Sequence, residues 1–324
     1  MTDRTPARLL VVPARGTGMR LDRLLRAFFK DWSRNELVKG IKQGLVTDGN
    51  GRVLRPSSVV RAGMTLHVGI PGIAPTTPPP DYPEIVFEDE RLVVVNKPSG
   101  MMAHPAGSQF VWSLIGLSRT HWPESDMDLC HRLDRDTSGL LVLTKDKGAN
   151  QYVKQAFKAG DVRKEYVALC KGTIPWDEQA CLQPLGPGEG EIRVAQAVRQ
   201  DGVAAETQVS VLERRGALTK VVCRITTGRT HQIRVHLAHT GYPLLGDRIY
   251  GVEAQVFLHS LQHGADDWVR AQTGAPRHAL HCAHMVVPHP DGSSVDVSVP
   301  MPADMNRWWN HPEVLPQDRA SVDL

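Results

Sequence analysis

Cys130-His131-Arg132-Leu133-Asp134-Arg135-Asp136-Thr137-Ser138-Gly139-Leu140-Leu141-Val142-Leu143-Thr144-Lys145 runs a dense polar loop directly into an apolar segment. Leu140–Leu143 is a continuous apolar run of the kind carried by a strand covered on both faces. A polar loop anchored to such a strand holds its side chains rigidly at the rim of a cleft. The same residues also suit a salt-bridged turn, and composition alone leaves both readings open. Working outward, Leu92–Val95 and Val221–Ile225 repeat the buried-strand pattern, while Lys164–Lys171 alternates as a half-covered strand does. Helical spacing appears at Asn150–Lys158 and Thr230–His239. Strands and helices mix without a regular βαβ rhythm, which predicts an α+β fold rather than a doubly wound sheet.

The 324 residues suggest two folded units at about 150 residues per domain. With 41% hydrophobic residues the chain has material for a substantial core, which excludes a disordered or collagen-like protein. The longest apolar runs fall far short of a membrane span, and the N-terminal segment is too weakly apolar for a secretory signal. The five cysteines are odd in number and never in a C-x-x-C pair, which suits reduced thiols. A cytoplasmic protein is expected, and nothing demands more than a monomer.

The Pro-rich stretch 69–83 divides the chain as a semi-rigid linker. Before it, residues 1–68 hold 13 Lys and Arg against 5 Asp and Glu, a surplus that suits a polyanion or a merely solvated surface. Here Leu21, Leu24, Leu25 and Phe28 fall at helical spacing. Ser33 and Glu36 form a capping-box pattern before a helix carrying Leu37, Val38 and Ile41, which Gly44 ends. Short strands are expected at Leu45–Thr47, Arg52–Leu54 and Thr65–Val68. The second unit spans 84–315, and a polar tail 316–324 follows.

The chain carries two family resemblances. Gly44-Leu45-Val46 and residues 51–68 (GRVLRPSSVVRAGMTLHV), after two short helices, resemble the S4 RNA-binding domain over residues 19–68. That resemblance implies that Arg20, Arg23, Arg34, Lys39 and Lys42, on or near the helices, face a phosphate backbone; as residues alone, some of them simply keep a helix soluble. The segment H-R-L-D-R-D-T-S-G-L-L-V resembles the signature of RluA-type pseudouridine synthases. Three further segments resemble the same family in order: Glu90–Gly100 followed by His104-Pro105; Lys164-Glu165-Tyr166; and Thr227–His236 followed by Pro243–Gly251.

The resemblance implies a mixed, largely antiparallel sheet with a central cleft, and isomerisation of uridine to pseudouridine in RNA. It implies Asp134 as the catalytic carboxylate, Arg229 as its ion-pair partner and Tyr166 as the ring against a flipped uracil. Arg132 and Arg135, flanking the aspartate, would steady the RNA backbone or fill the gap left by the base. One ionised carboxylate beside the sugar serves either as nucleophile at C1′ or as base at C2′, and the sequence does not choose. The reaction needs neither cofactor nor metal, and the chain has no nucleotide-binding glycine loop. Members with an S4 module point to structured RNA of the large ribosomal subunit, of 23S type; transfer RNA, or a non-catalytic RNA-binding assembly factor, are the alternatives. A hydrolase pair at Asp134 and Asp136 fits poorly, and Ser138 lacks a nucleophile elbow. His278, His281, Cys282, His284 and His289 match no zinc spacing and read instead as a strand.

Overall fold

All seven residues of strand Ser138–Thr144 are buried, and the main sheet is built around it. The structure, a computed structural model, describes residues 8–29, 32–70, 80–104 and 113–312. Most of the expected linker (71–79), Pro105 and the polar tail lie outside the described residues.

Across the sheet the strands run Glu84–Glu88, Leu92–Lys97, Ser138–Thr144, Leu280–Pro288, Arg163–Lys171, Leu218–Ile225, Thr207–Arg215 and Glu178–Cys181. Ser294–Ser298 pairs against Leu280–Pro288 and Asp128–Leu129 against Ser138–Thr144. Every pair is antiparallel except Ser138–Thr144 with Leu280–Pro288, which is parallel. The mixed, largely antiparallel α+β architecture is therefore the one expected. Helices Lys147–Ala159 and Gln232–His239 supply covering elements.

One row crosses the middle of this sheet. Lys97 pairs with Gly139, Gly139 with Cys282, Cys282 with Tyr166 and Tyr166 with Cys223. Gly139 adopts φ +108, and a β-carbon there would stand 2.2 Å from the Cys282 carbonyl oxygen. Only glycine permits that approach, and the approach lets the two central strands run parallel directly after the polar loop.

The front unit has a three-stranded antiparallel sheet of Arg8–Val11, Thr65–Val68 and Val46–Asp48. Helices Leu21–Phe28 and Arg34–Lys42 enclose a separate core with it, built on Leu21, Leu24, Leu25, Leu37 and Ile41. The Ser33–Glu36 capping box forms with both reciprocal bonds. Strand Arg8–Val11 is an addition to the expected elements. Arg52–Leu54 differs in the other direction, contributing a single bridge from Val53 to Thr47, because the Asp48 carboxylate folds the chain back by accepting the N–H groups of Asn50 and Arg52. At the other end Trp308 and Trp309 pack into a small core with Leu169 and Met305.

Candidate active site

The polar loop ends in a turn closed by the Thr137 N–H on the Asp134 carbonyl, at 3.2 Å. Several groups fix that turn against the sheet. Lys97 is fully buried and its Nζ donates to the carbonyls of Pro98, Met101 and Arg135. Ser99 Oγ and Arg277 Nη1 donate to the Asp136 carbonyl, and the Asp136 carboxylate pairs with Arg248. His278 Nε2 meets Thr137 Oγ1 at 2.8 Å. Asp136 is thus a bracing residue, and Asp134 alone of the two acidic side chains opens into the cavity of about 80 Å³ beside it.

Asp134 has one strong partner, and it is not the expected one. Arg234 Nη1 donates to Asp134 Oδ2 at 3.0 Å, while Arg234 Nε and Nη2 grip both oxygens of Asp247 at 2.7 and 2.9 Å. Arg229 is exposed, and its Nε donates to the Ala204 carbonyl at 3.1 Å, on the cavity rim. The expectation of an Arg229–Asp134 pair is therefore corrected. The reason lies in how the helix begins. It starts at Gln232, not Thr230, because His231 takes the left-handed conformation at φ 56. Gln232 Oε1 then accepts the Thr227 hydroxyl and the Arg229 N–H, fixing the turn with Arg229 before the helix and Arg234 inside its first turn.

His231 is the only non-glycine residue with positive φ among the described residues. Such a conformation is uncommon for a side-chain-bearing residue and is held by its surroundings. Its Nδ1 lies 2.7 Å from the Tyr250 hydroxyl and its Nε2 3.7 Å from Asp134 Oδ2. The Tyr250 oxygen also accepts the Gln196 N–H, and the Tyr250 ring lies under the Arg234 guanidinium at 5.1 Å. His236, further along the helix, bonds Thr207 Oγ1 and the Gln183 carbonyl, tying this helix to the sheet.

The electrostatics favour an ionised Asp134. Burial pushes its carboxyl up, but His231, Arg234 and His278, with the Arg234 hydrogen bond, outweigh that and bring it below the ordinary value. Burial likewise lowers His231 to about 4 and His278 to about 3, so both imidazoles are neutral at neutral pH. Arg234 is then the standing countercharge. Burial opposes its charge too, but Asp247 and Asp134 more than compensate and raise its pKa.

Tyr166 is 6% exposed and lines the same cavity. It shares a core with Ala168 and Cys170, as its strand alternation predicts. Its hydroxyl is paired with the Cys282 thiol, and burial followed by these neighbours raises its pKa well above the ordinary tyrosine value. It is therefore a neutral phenol in the free protein. Arg132 is exposed on the cavity wall. Arg135 donates from Nε to the Gly100 carbonyl, so part of its guanidinium braces the loop.

Four contributors were not singled out from the sequence: Arg234, Asp247, His231 and Tyr250. One signal was present, since Arg234 lies among Ile233, Val235 and Leu237 on a helix too apolar to be exposed, and a buried arginine calls for carboxylate partners. The histidines of the expected strand are occupied locally: His281 Nδ1 by Ser138, His284 by Asp296, and His289 by Asp89 and Asp291. In the front unit Arg20 and Arg34 both pair with the buried Asp22, at 3.1 and 2.6 Å, while Arg23, Lys39 and Lys42 are exposed. Among the described residues no helix is long and apolar enough to cross a membrane.

Residues 91–239 match the family profile described as RNA pseudouridylate synthase. A Xanthomonas campestris protein named ribosomal large subunit pseudouridine synthase D is 34% identical over 309 residues, spanning 93% of this chain and 91% of its own. A Pseudomonas aeruginosa protein of the same name is 33% identical over 307 residues, spanning 90% and 92%. Among solved structures, human RNA pseudouridylate synthase domain containing 1 superposes with a TM-score of 0.55 at 26% identity, covering 69% of this chain and 86% of that one.

Proposed function

The chain belongs to the RNA pseudouridylate synthase family, enzymes that isomerise uridine within RNA, and on that premise we propose that Asp134 carries the reaction on a uridine of large-subunit ribosomal RNA. The observation that supports this assignment is the Asp134 carboxylate lining a small cavity, held by an arginine that a second buried carboxylate locks in place. The relatives named for the large ribosomal subunit support the substrate, and a ribosomal substrate makes the cytoplasm the place of action.

The isomerisation balances within the substrate. The N1–C1′ bond breaks, the base turns, and a C5–C1′ bond forms; the C5 proton leaves and N1 gains one. Asp134 serves as nucleophile at C1′ or as base at C2′, and both routes need it ionised. Arg234 keeps it so and fixes its direction. Burial of both side chains removes most of the solvent that would otherwise screen this pair. Tyr166, which lines the same cavity, stacks on or bonds the flipped base. Arg229 and Arg132, at the rim, meet backbone phosphates. Residues 1–68 act as an S4-like RNA-binding module joined through the Pro-rich stretch to the catalytic unit 84–315, with Arg23, Lys39 and Lys42 turned to the phosphates.

Tritium release from ribosomal RNA labelled with [5-³H]uridine tests the assignment, because C5 loses its hydrogen only when a new bond forms there. Release is expected from the intact protein and none from Asp134→Asn. Undiminished release by the variant would reject Asp134, and release confined to transfer RNA would reject the ribosomal substrate.

A further inference from the structure

Beside the Asp134 cavity lies a second, larger hollow of about 560 Å³. Its floor is apolar and buried, with Ala103, Leu129 and Leu133. Its rim is cationic or titratable and exposed, with His104, Arg132 and Arg135. The two hollows share Arg132 and Leu133 as a common wall.

The second hollow is held at a fixed width. Fully buried Lys97 donates to the carbonyls of Met101, at 2.9 Å, and Arg135, at 3.1 Å. It therefore ties the segment leading into one side of the hollow to the loop that forms the other. The N–H groups of Leu114 and Ile115 hold the Met102 and Ala103 carbonyls in place. A hollow fastened in this way needs no ordering when a ligand arrives, which favours binding.

The contents and position of the hollow define its ligand. An apolar floor under a cationic rim fits a neutral aromatic base with a phosphate at its edge. The Asp134 cavity is the smaller of the two, at about 80 Å³. Turning the target base out of its stack also removes a stacking partner from the nucleotide joined to it. Arg132 and Leu133, which the two hollows have in common, form the wall that such a neighbouring nucleotide would cross.

We propose that the second hollow takes the base of the nucleotide adjoining the target uridine, so that the enzyme holds a splayed pair of nucleotides rather than a single flipped one. This rests on the reading of the Asp134 cavity as the place where uridine reacts. The consequence is a sequence or shape preference at one neighbouring position, set by Ala103, Leu129 and the rim residues, separate from recognition of the uridine itself.

The test begins by mapping the modified uridine in ribosomal RNA. Short RNAs carrying it are then made with 2-aminopurine at the 5′ or the 3′ neighbour. On binding the intact protein, one of the two positions is expected to brighten several-fold as it unstacks, and Met102→Trp, which fills the hollow, is expected to abolish the change. An abasic nucleotide at that same position is expected to raise KM about ten-fold in the intact protein and to leave the filled variant unchanged. If Met102→Trp does not fold, His104→Ala takes its place, with a partial loss expected. Two neighbours that both stay quenched would overturn the proposal, as would an abasic penalty equal in both proteins. Tritium release by Asp134→Asn would overturn the catalytic assignment instead, while the fluorescence result still decides the second hollow.

Discussion

Arg234 stands between two carboxylates that are far apart in the chain. It gives one guanidinium nitrogen to Asp134 and two to Asp247, and the latter carboxylate is wholly buried. The bidentate grip on Asp247 fixes the plane of the fork, so the remaining nitrogen reaches Asp134 in one direction only. Lysine, a point charge on a flexible stem, cannot serve both partners. Arg234→Lys is expected to lower kcat by at least about 100-fold with RNA affinity within a few-fold of the intact protein. Arg229→Ala is expected to weaken RNA binding while leaving kcat within about ten-fold. Tritium-release kinetics beside filter binding separate the two, and a larger kcat loss for Arg229→Ala would reverse the assignment.

Acid should weaken the fold before it silences Asp134. His278, His281 and His231 are held near pKa values of about 3, 4 and 4, by burial first and by nearby arginine charge second. In the unfolded chain each titrates near 6.5. The unfolded state therefore binds more protons below pH 6.5, and stability that is complete above that pH is lost as pH falls toward 4. Each histidine contributes up to about 1.4 kcal/mol per pH unit. The sign for Asp134 and Asp247 is the same, since their carboxyls are also depressed, but the window is lower: they stay ionised through this range and weaken the fold only below about pH 4. The expected result is a Tm lower at pH 5 than at pH 7.5 by roughly 10 °C. A flat Tm over that interval would show that these imidazoles are not held neutral.

Gly139 is a position where one methyl group should matter. A β-carbon there meets the Cys282 carbonyl oxygen at 2.2 Å, on a backbone at φ +108. Gly139→Ala is expected to cost about 3 kcal/mol or more in a urea melt. Because the Asp134 turn lies just ahead of this residue, kcat per folded molecule should fall as well. Alanine tolerated within about 0.5 kcal/mol would mean that the two central strands can move apart.

The cations of the front unit should divide into two groups. Arg23, Lys39 and Lys42 are exposed, whereas Arg20 and Arg34 are both engaged by Asp22, whose carboxyl their hydrogen bonds bring down to about 2 against the opposing effect of burial. Reversing the charge at Arg23, Lys39 and Lys42 should weaken RNA binding. It should also flatten the salt dependence by roughly 0.7 to 0.9 of a log unit for each phosphate no longer neutralised, with Tm unchanged. Reversal at Arg20 or Arg34 should lower Tm in addition, because Asp22 then faces a like charge. Salt titrations and melting curves distinguish these outcomes, and an unaltered salt slope in the triple variant would remove this face from the RNA interface.

Much of this molecule was legible locally. Leu92–Val95, Leu140–Leu143 and Val221–Ile225 announce covered strands because a strand packed on both faces has no exposed position for a polar side chain. Ser33 and Glu36 announce a helix start because the bonds they make lie within one turn. The order of the four family motifs brought Asp134 and Tyr166 forward as site residues before any contact was visible. The partner of Asp134 was not legible in the same way. Arg229 and Arg234 sit in one short motif, and which of them reaches a residue 100 positions away depends on the left-handed turn at His231 and on a buried Asp247 waiting beside the cavity. Likewise, Arg20 and Arg34 look like free cations until Asp22 is seen to be buried between them. Local pattern specifies which surfaces are apolar and where the chain turns; the direction of a charged side chain is decided only when packing removes water from its surroundings and leaves particular carboxylates in reach.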